Sequence, residues 1–347
     1  MYLCVMKCRY TAKRGWKIIA MMVCLLCWAS TGYGQSTKEK LKRIHVKVDS
    51  VLTTRYNKVR YDTNYVGRPP QKLTLKIRPN LSGSNITMRG DVAGVYTKTE
   101  LGAAYRGTIS LCVSYIGISA SVSINPGSLS GKNKDMEMNI NYYSPRFCVD
   151  ASYQVTKTLA GGIERGDNLW HFERGLVNLK VASLTAYYIF NHRRFSFPAA
   201  FTQSYIQKKS AGSWLAGLSF EMGKVKRGDN APISLPKLNI LVGHVALGGG
   251  YAYNFVVGRK WLFHLSAMPT LVVANFNDFT VGGHDRDVRM KFPSALLNEH
   301  AAIVYNCTPR YFVGATGLVT HTLFNAADIH VNRNRWLARL FFGVRLL

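Results

Sequence analysis

From Thr108 to Asn125 the chain alternates. Ile109, Leu111, Val113 and Tyr115 take one set of positions, and Ser110, Cys112 and Ser114 take the other. After a pivot at Ile116-Gly117, Ile118, Ala120, Val122 and Ile124 alternate with Ser119, Ser121 and Ser123. Two-residue alternation on both sides of a Gly-containing break predicts a β-hairpin. Its polar face is small and uncharged, unlike the Lys/Glu mixture of a surface sheet. One side is greasy, and the other is wet but confined.

The same grammar begins at Lys72 and runs to the last residue. Strand-like segments are expected near 72–78, 95–105, 108–115, 118–125, 136–143, 146–155, 178–190, 195–206, 213–223, 239–256, 260–275, 295–306, 310–322 and 335–347. Tight connections at Ser144-Pro145, Asn191 to Arg194, Val257 to Lys260 and Cys307 to Arg310 are interspersed with longer loops at 126–135, 156–177, 224–238, 276–294 and 323–334. Short turns on one side and long loops on the other is the outer-membrane pattern. The fold expected is all-β: one antiparallel transmembrane barrel over residues 72–347, with an even strand number of about 12 (range 10–14). A soluble β-sandwich is the main rival. In the last strand Trp336, Ala338, Leu340, Phe342, Val344 and Leu346 share one face. Arg339 and Arg345 lie on the other, and facing lipid each would cost roughly 2–4 kcal/mol near the midplane, so both are placed in the lumen.

The first 71 residues read differently. Lys7, Arg9, Lys13, Arg14 and Lys17 form a basic region before the apolar run Ile18 to Ala29, and Gly32-Tyr33-Gly34 supplies small residues before Gln35. This is the pattern of a secretory signal peptide over residues 1–34, cleaved after Gly34. A membrane anchor is the competing reading, but a run this short does not span a bilayer. Leu41, Ile44, Val48, Val51 and Leu52 then fall at helical spacing, and residues 56–70 are polar and tyrosine-rich. Residues 35–71 are expected to be a periplasmic amphipathic helix and linker, tucked into or under the barrel.

Charge narrows the partners. The chain has 45 Lys and Arg against 18 Asp and Glu, and the signal removes only basic residues, so the exported chain stays strongly positive. Such an excess points to an anionic partner. For an exported barrel that means outer-membrane lipid, lipopolysaccharide or an anionic solute rather than nucleic acid, besides the barrel-insertion machinery. Cys112, Cys148 and Cys307 remain after export and are expected to be packing residues, not a disulfide framework. The histidines show no metal-ligand spacing, and Gly248-Gly249-Gly250 sits among strand aromatics rather than before a helix. No metal or cofactor is expected.

The segment Tyr188-Ile189-Phe190-Asn191-His192-Arg193-Arg194-Phe195-Ser196-Phe197-Pro198-Ala199-Ala200-Phe201-Thr202-Gln203-Ser204, continuing Gln207-Lys208-Lys209-Ser210-Ala211-Gly212-Ser213, is distinctive. With Tyr61-Asp62-Thr63-Asn64-Tyr65, Arg78-Pro79-Asn80, and Gly248 to Tyr253 with Trp261, it resembles an uncharacterised family of exported proteins from Bacteroidota, a domain of unknown function. The resemblance covers most of residues 60–347. It implies a barrel in the outer membrane of a diderm bacterium, with no catalytic residues to carry over.

Three site readings follow. Arg146, Lys180, Arg339 and Arg345 are placed in the lumen, where they would bias passage toward anions. This makes a binding or passage barrel the leading function. Arg193 and Arg194, and Lys208 and Lys209, are candidates for anion or lipid binding, but a strand over 195–206 would put the two pairs at opposite membrane faces. This second reading is a structural barrel that binds lipopolysaccharide or a partner without transport. The third is a lipid-modifying hydrolase. His264 and Ser266 share a strand face, resembling the pair of outer-membrane lipid A deacylases, with Glu299 or Asp278 as the orienting acid. The Asn-Gly that follows Ser in those enzymes is replaced by Ala267-Met268, and the pair faces the lumen.

Overall fold

The computed structural model describes residue 54 and residues 59–92, 94–115, 118–129, 135–228, 231–232, 238–281, 284–286, 291–326 and 329–346. The signal peptide and the amphipathic helix lie outside the described residues. The strands are β1 (Val66–Gly67), β2 (Leu73–Val92), β3 (Val95–Gly102), β4 (Arg106–Tyr115), β5 (Ile118–Ile124), β6 (Met136–Tyr143), β7 (Phe147–Thr156), β8 (Ala160–Arg165) and β9 (Asn168–Phe172). They continue with β10 (Val177–Ile189), β11 (Ile206–Gln207), β12 (Ala211–Arg227), β13 (Leu238–Val257), β14 (Trp261–Val281), β15 (His284–Arg286), β16 (Ala295–Asn306), β17 (Tyr311–Ala326) and β18 (Ile329–Leu346). Two short helices, α1 (Pro126–Leu129) and α2 (Phe197–Phe201), interrupt them.

The wall is antiparallel and closes through the chain ends, because β18 pairs with β2 from Leu346↔Leu73 to Ile329↔Gly90. β3 and β4 are two halves of one strand, both paired to the long β2. Counting them once, the wall runs β2, β3/β4, β5, β6, β7, β10, β12, β13, β14, β16, β17, β18: twelve strands among the described residues, within the expected range of 10–14. Among the described residues β5 and β6 do not pair with each other, and beside that gap side chains of β4 and β2 reach β6: Arg106 donates to Met136 O at 3.4 Å and Ser82 Oγ to Glu137 Oε2 at 2.7 Å. The 156–177 loop carries its own hairpin, β8–β9, which pairs with β3 beyond the wall proper.

Burial is inside-out. Ile109 and Leu111 are 51% and 57% exposed, whereas their strand neighbours Ser110 and Cys112 are 0% and 3% exposed. The pattern repeats around the ring, with Trp214, Leu218, Leu247, Leu265, Ile303, Leu340 and Phe342 all exposed. Water would not tolerate an apolar surface this large and continuous; hydrocarbon would. On β12 the outward apolar positions run from Trp214 to Met222, and Lys224 follows. At ordinary strand rise and tilt that run is roughly 23 Å tall, matching the apolar band of an outer-membrane barrel. On the outer face the rings of Trp336 and Tyr105 meet at 5.7 Å, tilted by 59°. Gly248 and Gly250 allow close backbone approach: a Cβ there would lie 2.1 Å from the carbonyl oxygens of Pro269 and Ala267.

One expected strand is not a strand. Residues 195–206 leave the wall after β10, turn into the lumen and carry α2, then return through β11, which pairs with β1. The reason is local. Ser196 caps α2 by accepting from Ala199 N, Pro198 has no N–H to give to a ladder, and Phe-Pro-Ala-Ala-Phe is apolar throughout instead of alternating.

Candidate functional site

The segment 195–207 is a plug seated at the end of the barrel where β2 begins and β18 finishes. Outer-membrane barrels keep that end in the periplasm. Phe195, Phe197, Ala199, Ala200 and Phe201 are all buried among wall side chains. Phe197 stacks on Phe201 at 5.1 Å and on Tyr187 at 6.2 Å. Residues 60–71, the predicted linker, fold against it: Arg68 Nη2 donates to Tyr205 OH at 2.7 Å and Tyr61 meets Tyr205 edge-on.

Three polar side chains hold the plug. Gln207 uses its whole amide: Oε1 accepts from Ser196 N (2.9 Å) and Asn254 Nδ2 (3.0 Å), and Nε2 donates to the carbonyls of Arg194, Lys209 and Tyr65. Lys76 of β2 points its ammonium at the C-terminal end of α2, donating to Phe201 O (3.3 Å), Thr202 O (3.4 Å) and Gln203 Oε1 (2.9 Å). Cations favour that end of a helix, where carbonyls lack partners. Gln203 itself sits at φ 55, a left-handed conformation rare for a residue with a side chain, and its Nε2 donates to Ala200 O at 2.7 Å.

Asn254 connects the plug to the predicted His–Ser pair. Its Nδ2 donates to Ser196 O and to Gln207, so its Oδ1 is left to accept from His264 Nδ1 at 2.7 Å. His264 Nε2 and Ser266 Oγ are 3.2 Å apart. The pair therefore exists, but Asn254, not Glu299, orients the imidazole. Both members are buried, and the rings of Phe197 and Phe201 lie 4.8 and 5.1 Å from the imidazole. The arrangement is a hydrogen-bond relay that fixes the plug, sealed from the acyl chains that a lipid hydrolase would have to reach.

Above the plug, side chains tie opposite walls together. Asp150 of β7 accepts from Tyr187 OH (2.8 Å) and Asn141 Nδ2, and its Oδ2 lies 3.2 Å from His300 Nε2 of β16. Arg333 of β18 reaches across to Glu221 of β12 (3.0 Å) and Gln154 of β7 (2.9 Å). Arg335 reaches Glu137 (2.6 Å) and Asn139 (2.8 Å) of β6. Much of the luminal positive charge is thus neutralised in place.

The basic candidates sort accordingly. Arg339 and Arg345 face the lumen as expected, both nearly fully buried. Arg146 does not: it lies in the turn before β7, where its Nε donates to His192 Nε2 at 3.0 Å. Burial and the nearby Arg146 charge hold the His192 pKa below its ordinary value. Lys180 is also outside, because Val181, Tyr187 and Ile189 of the opposite parity are the buried set; it faces Lys224 across the ladder above the apolar band. The two pairs expected on opposite membrane faces come together instead, since the chain between them dips into the lumen and returns. Arg194 Nε is 3.5 Å from Asp62, and its guanidinium lies 5.0 Å from the Tyr65 ring centre. Lys209 Nζ is 5.7 Å from the same ring, Lys208 Nζ donates to Thr63 O at 2.9 Å, and Arg193 O accepts from Asp62 N.

Glu299 is turned to lipid. It pairs directly with Ala267 on the outward parity of β16, while Asn298 and His300 point inward. Its Oε2 is 3.3 Å from His321 Nε2, and His321 Nδ1 is 2.6 Å from Asn334 Oδ1. Ionisable groups on a barrel's lipid face are unfavourable unless paired. Replacing Glu299 and His321 together by leucine is expected to leave the fold intact and to raise the urea midpoint in lipid vesicles, reflecting a stabilisation on the order of 1–2 kcal/mol. A lowered midpoint would mean the polar cluster supports the wall.

None of the curated proteins matches the chain. Among solved structures it is similar to the outer membrane protease OmpT from Escherichia coli (7% identity, TM-score 0.44), covering 80% of this chain and 98% of that one. It is similar also to the translocator domain of the autotransporter NalP from Neisseria meningitidis (10% identity, TM-score 0.33, 91% and 100% covered). The transport unit of the autotransporter AIDA-I from Escherichia coli gives 9% identity and TM-score 0.35, with 86% and 97% covered. The family model described as "Domain of unknown function (DUF4421)" matches residues 60–346, from the Tyr61–Tyr65 segment through the plug to β18, and the chain belongs to that family.

Proposed function

We propose that the protein is a closed outer-membrane barrel that binds an anionic partner at its periplasmic mouth and does not conduct at rest. The observation that carries this is the meeting of residues 193–194 and 208–209 that the plug brings about, with Arg194 and Lys209 against the Tyr65 ring, Lys208 on Thr63 O, the Arg193 backbone on Asp62 N, and Asp62 as the acid paired with Arg194. A cationic cluster on a rigid, buried support is a ready surface for carboxylate- or phosphate-bearing partners. Passage is the less favoured half of the reading. It would need the plug to leave and the Arg333–Glu221 and Arg335–Glu137 pairs to separate, and breaking a buried pair costs about 3–5 kcal/mol. A hydrolase built on His264 and Ser266 draws no support from a pair occupied in holding the plug.

Two measurements test the proposal. In planar bilayers the full mature chain is expected to show no unitary conductance; regular anion-selective steps would reinstate passage. Fluorescent polyglutamate should bind the detergent-solubilised chain with a steep salt dependence, and R194E/K208E/K209E should weaken it by at least about tenfold. Equal binding by the variant would remove the periplasmic mouth as the site.

A further inference from the structure

Below the wall-to-wall ion pairs, and beside the plug, lies a small cavity of about 40 Å³. Three cationic side chains line it: Lys76 and Arg78 of β2 and Arg339 of β18. No carboxylate is among its lining residues; the rest are the hydroxyls of Ser121, Thr202 and Thr316, the amide of Asn141, the Cys112 thiol and aromatic rings. Asp150 is the closest acid through the network, but it stands behind Tyr143 and Asn141, which donate to it.

The guanidinium donors facing this cavity are largely unspent. Arg78 Nη2 reaches only Ser121 Oγ, at 3.4 Å, and its buried Nε has no partner among the described residues. Arg339 Nη2 donates to Asn141 Oδ1 at the same long 3.4 Å. A guanidinium carries five donors, and burying Arg339 with most of them unmatched is costly. Three cations around one small space that opens beside the exposed Ser121, with no acid lining it, leave a charge deficit that the protein's own atoms do not fill. The volume suits one ion the size of a water or two.

We infer that this cavity binds a small inorganic anion of halide size, held by Arg78, Arg339 and Lys76. The site is independent of the periplasmic mouth, and it has a structural consequence. Lys76 would supply charge rather than a donor, because its three N–H groups already serve Phe201 O, Thr202 O and Gln203 Oε1, so the ion and the plug share Lys76.

The test uses the full mature chain folded in detergent. Crystals grown in bromide should show an anomalous peak within contact of Arg78 and Arg339. At fixed ionic strength, unfolding in urea should require more denaturant in chloride or bromide than in gluconate, which is too bulky to enter. At a halide concentration a hundred times Kd the folding equilibrium should shift by roughly a hundredfold. R339Q should erase the difference between the salts; should it fail to fold, R78Q, nearer the cavity's edge, serves in its place. Equal stability of the wild type in halide and gluconate, or bromide peaks confined to the outer surface, overturns the inference. So does a variant that keeps the full halide effect.

Discussion

Gln207→Ala is expected to unseat the plug. The substitution orphans Ser196 N and leaves the carbonyls of Arg194 and Lys209 without their donor, while Asn254 Nδ2 keeps Ser196 O and Tyr65 O keeps Lys208 N. At about 1–3 kcal/mol for each buried group left unmatched, the cost is on the order of 3–6 kcal/mol, concentrated in residues 195–207 and the 60–71 segment rather than in the wall. Hydrogen exchange should therefore accelerate at the plug amides while β12 to β14 stay protected. A protease acting from the periplasmic side should cut between Arg194 and Lys208 in the variant and not in the wild type. Uniform loss of protection across the wall would show that plug and wall fold as one unit. Asn254→Ala should act in the same place but more weakly, because Ser196 N keeps its acceptor on Gln207.

The second large effect is expected at Arg333. Its guanidinium spans from β18 to Glu221 and Gln154, closing the lumen between walls far apart in sequence. Arg333→Met leaves Glu221 buried without its cation, at about 3–5 kcal/mol. Glu221→Leu alone should cost a comparable amount for the mirror reason. Combined, the two substitutions should recover most of the loss, since an apolar contact across the lumen replaces a pair whose desolvation offsets much of its attraction. The readout is the urea midpoint in lipid vesicles. Additive losses in the double variant would mean that each residue acts through neighbours other than its partner. Conductance should stay absent in all three, because the plug still closes the periplasmic end.

The wall was legible because its rule is local. Parity along β4 and β18 tells which residues meet hydrocarbon, and Arg339 and Arg345 declared their side because the alternative is costly in lipid. Beyond the apolar band that rule lapses: Lys180 sits where both faces meet water, so its parity had no energetic consequence that the sequence could reveal. Glu299 is legible by the same rule. It shares parity with the outward Ala301 and Ile303, which sets it apart from the inward Ser266.

The plug was hidden for a different reason. An apolar run of Phe, Pro and Ala is too short for periodicity to separate a buried helix from a strand. Yet residues 188–213 were the most distinctive stretch of the chain, and Gln203, Gln207 and their neighbours prove to be the parts that lock the lumen. By itself the sequence determined the antiparallel barrel and its lipid-facing stripe, with a strand number near 12, since each is set by contacts within a strand or to the next one. Only the tertiary structure decided that a plug enters the lumen, that residues 193–194 and 208–209 come together, and that three cations line one cavity. Those features depend on side chains meeting across the ring, as Arg333 meets Gln154, where alternation along a single strand carries no information about the partner.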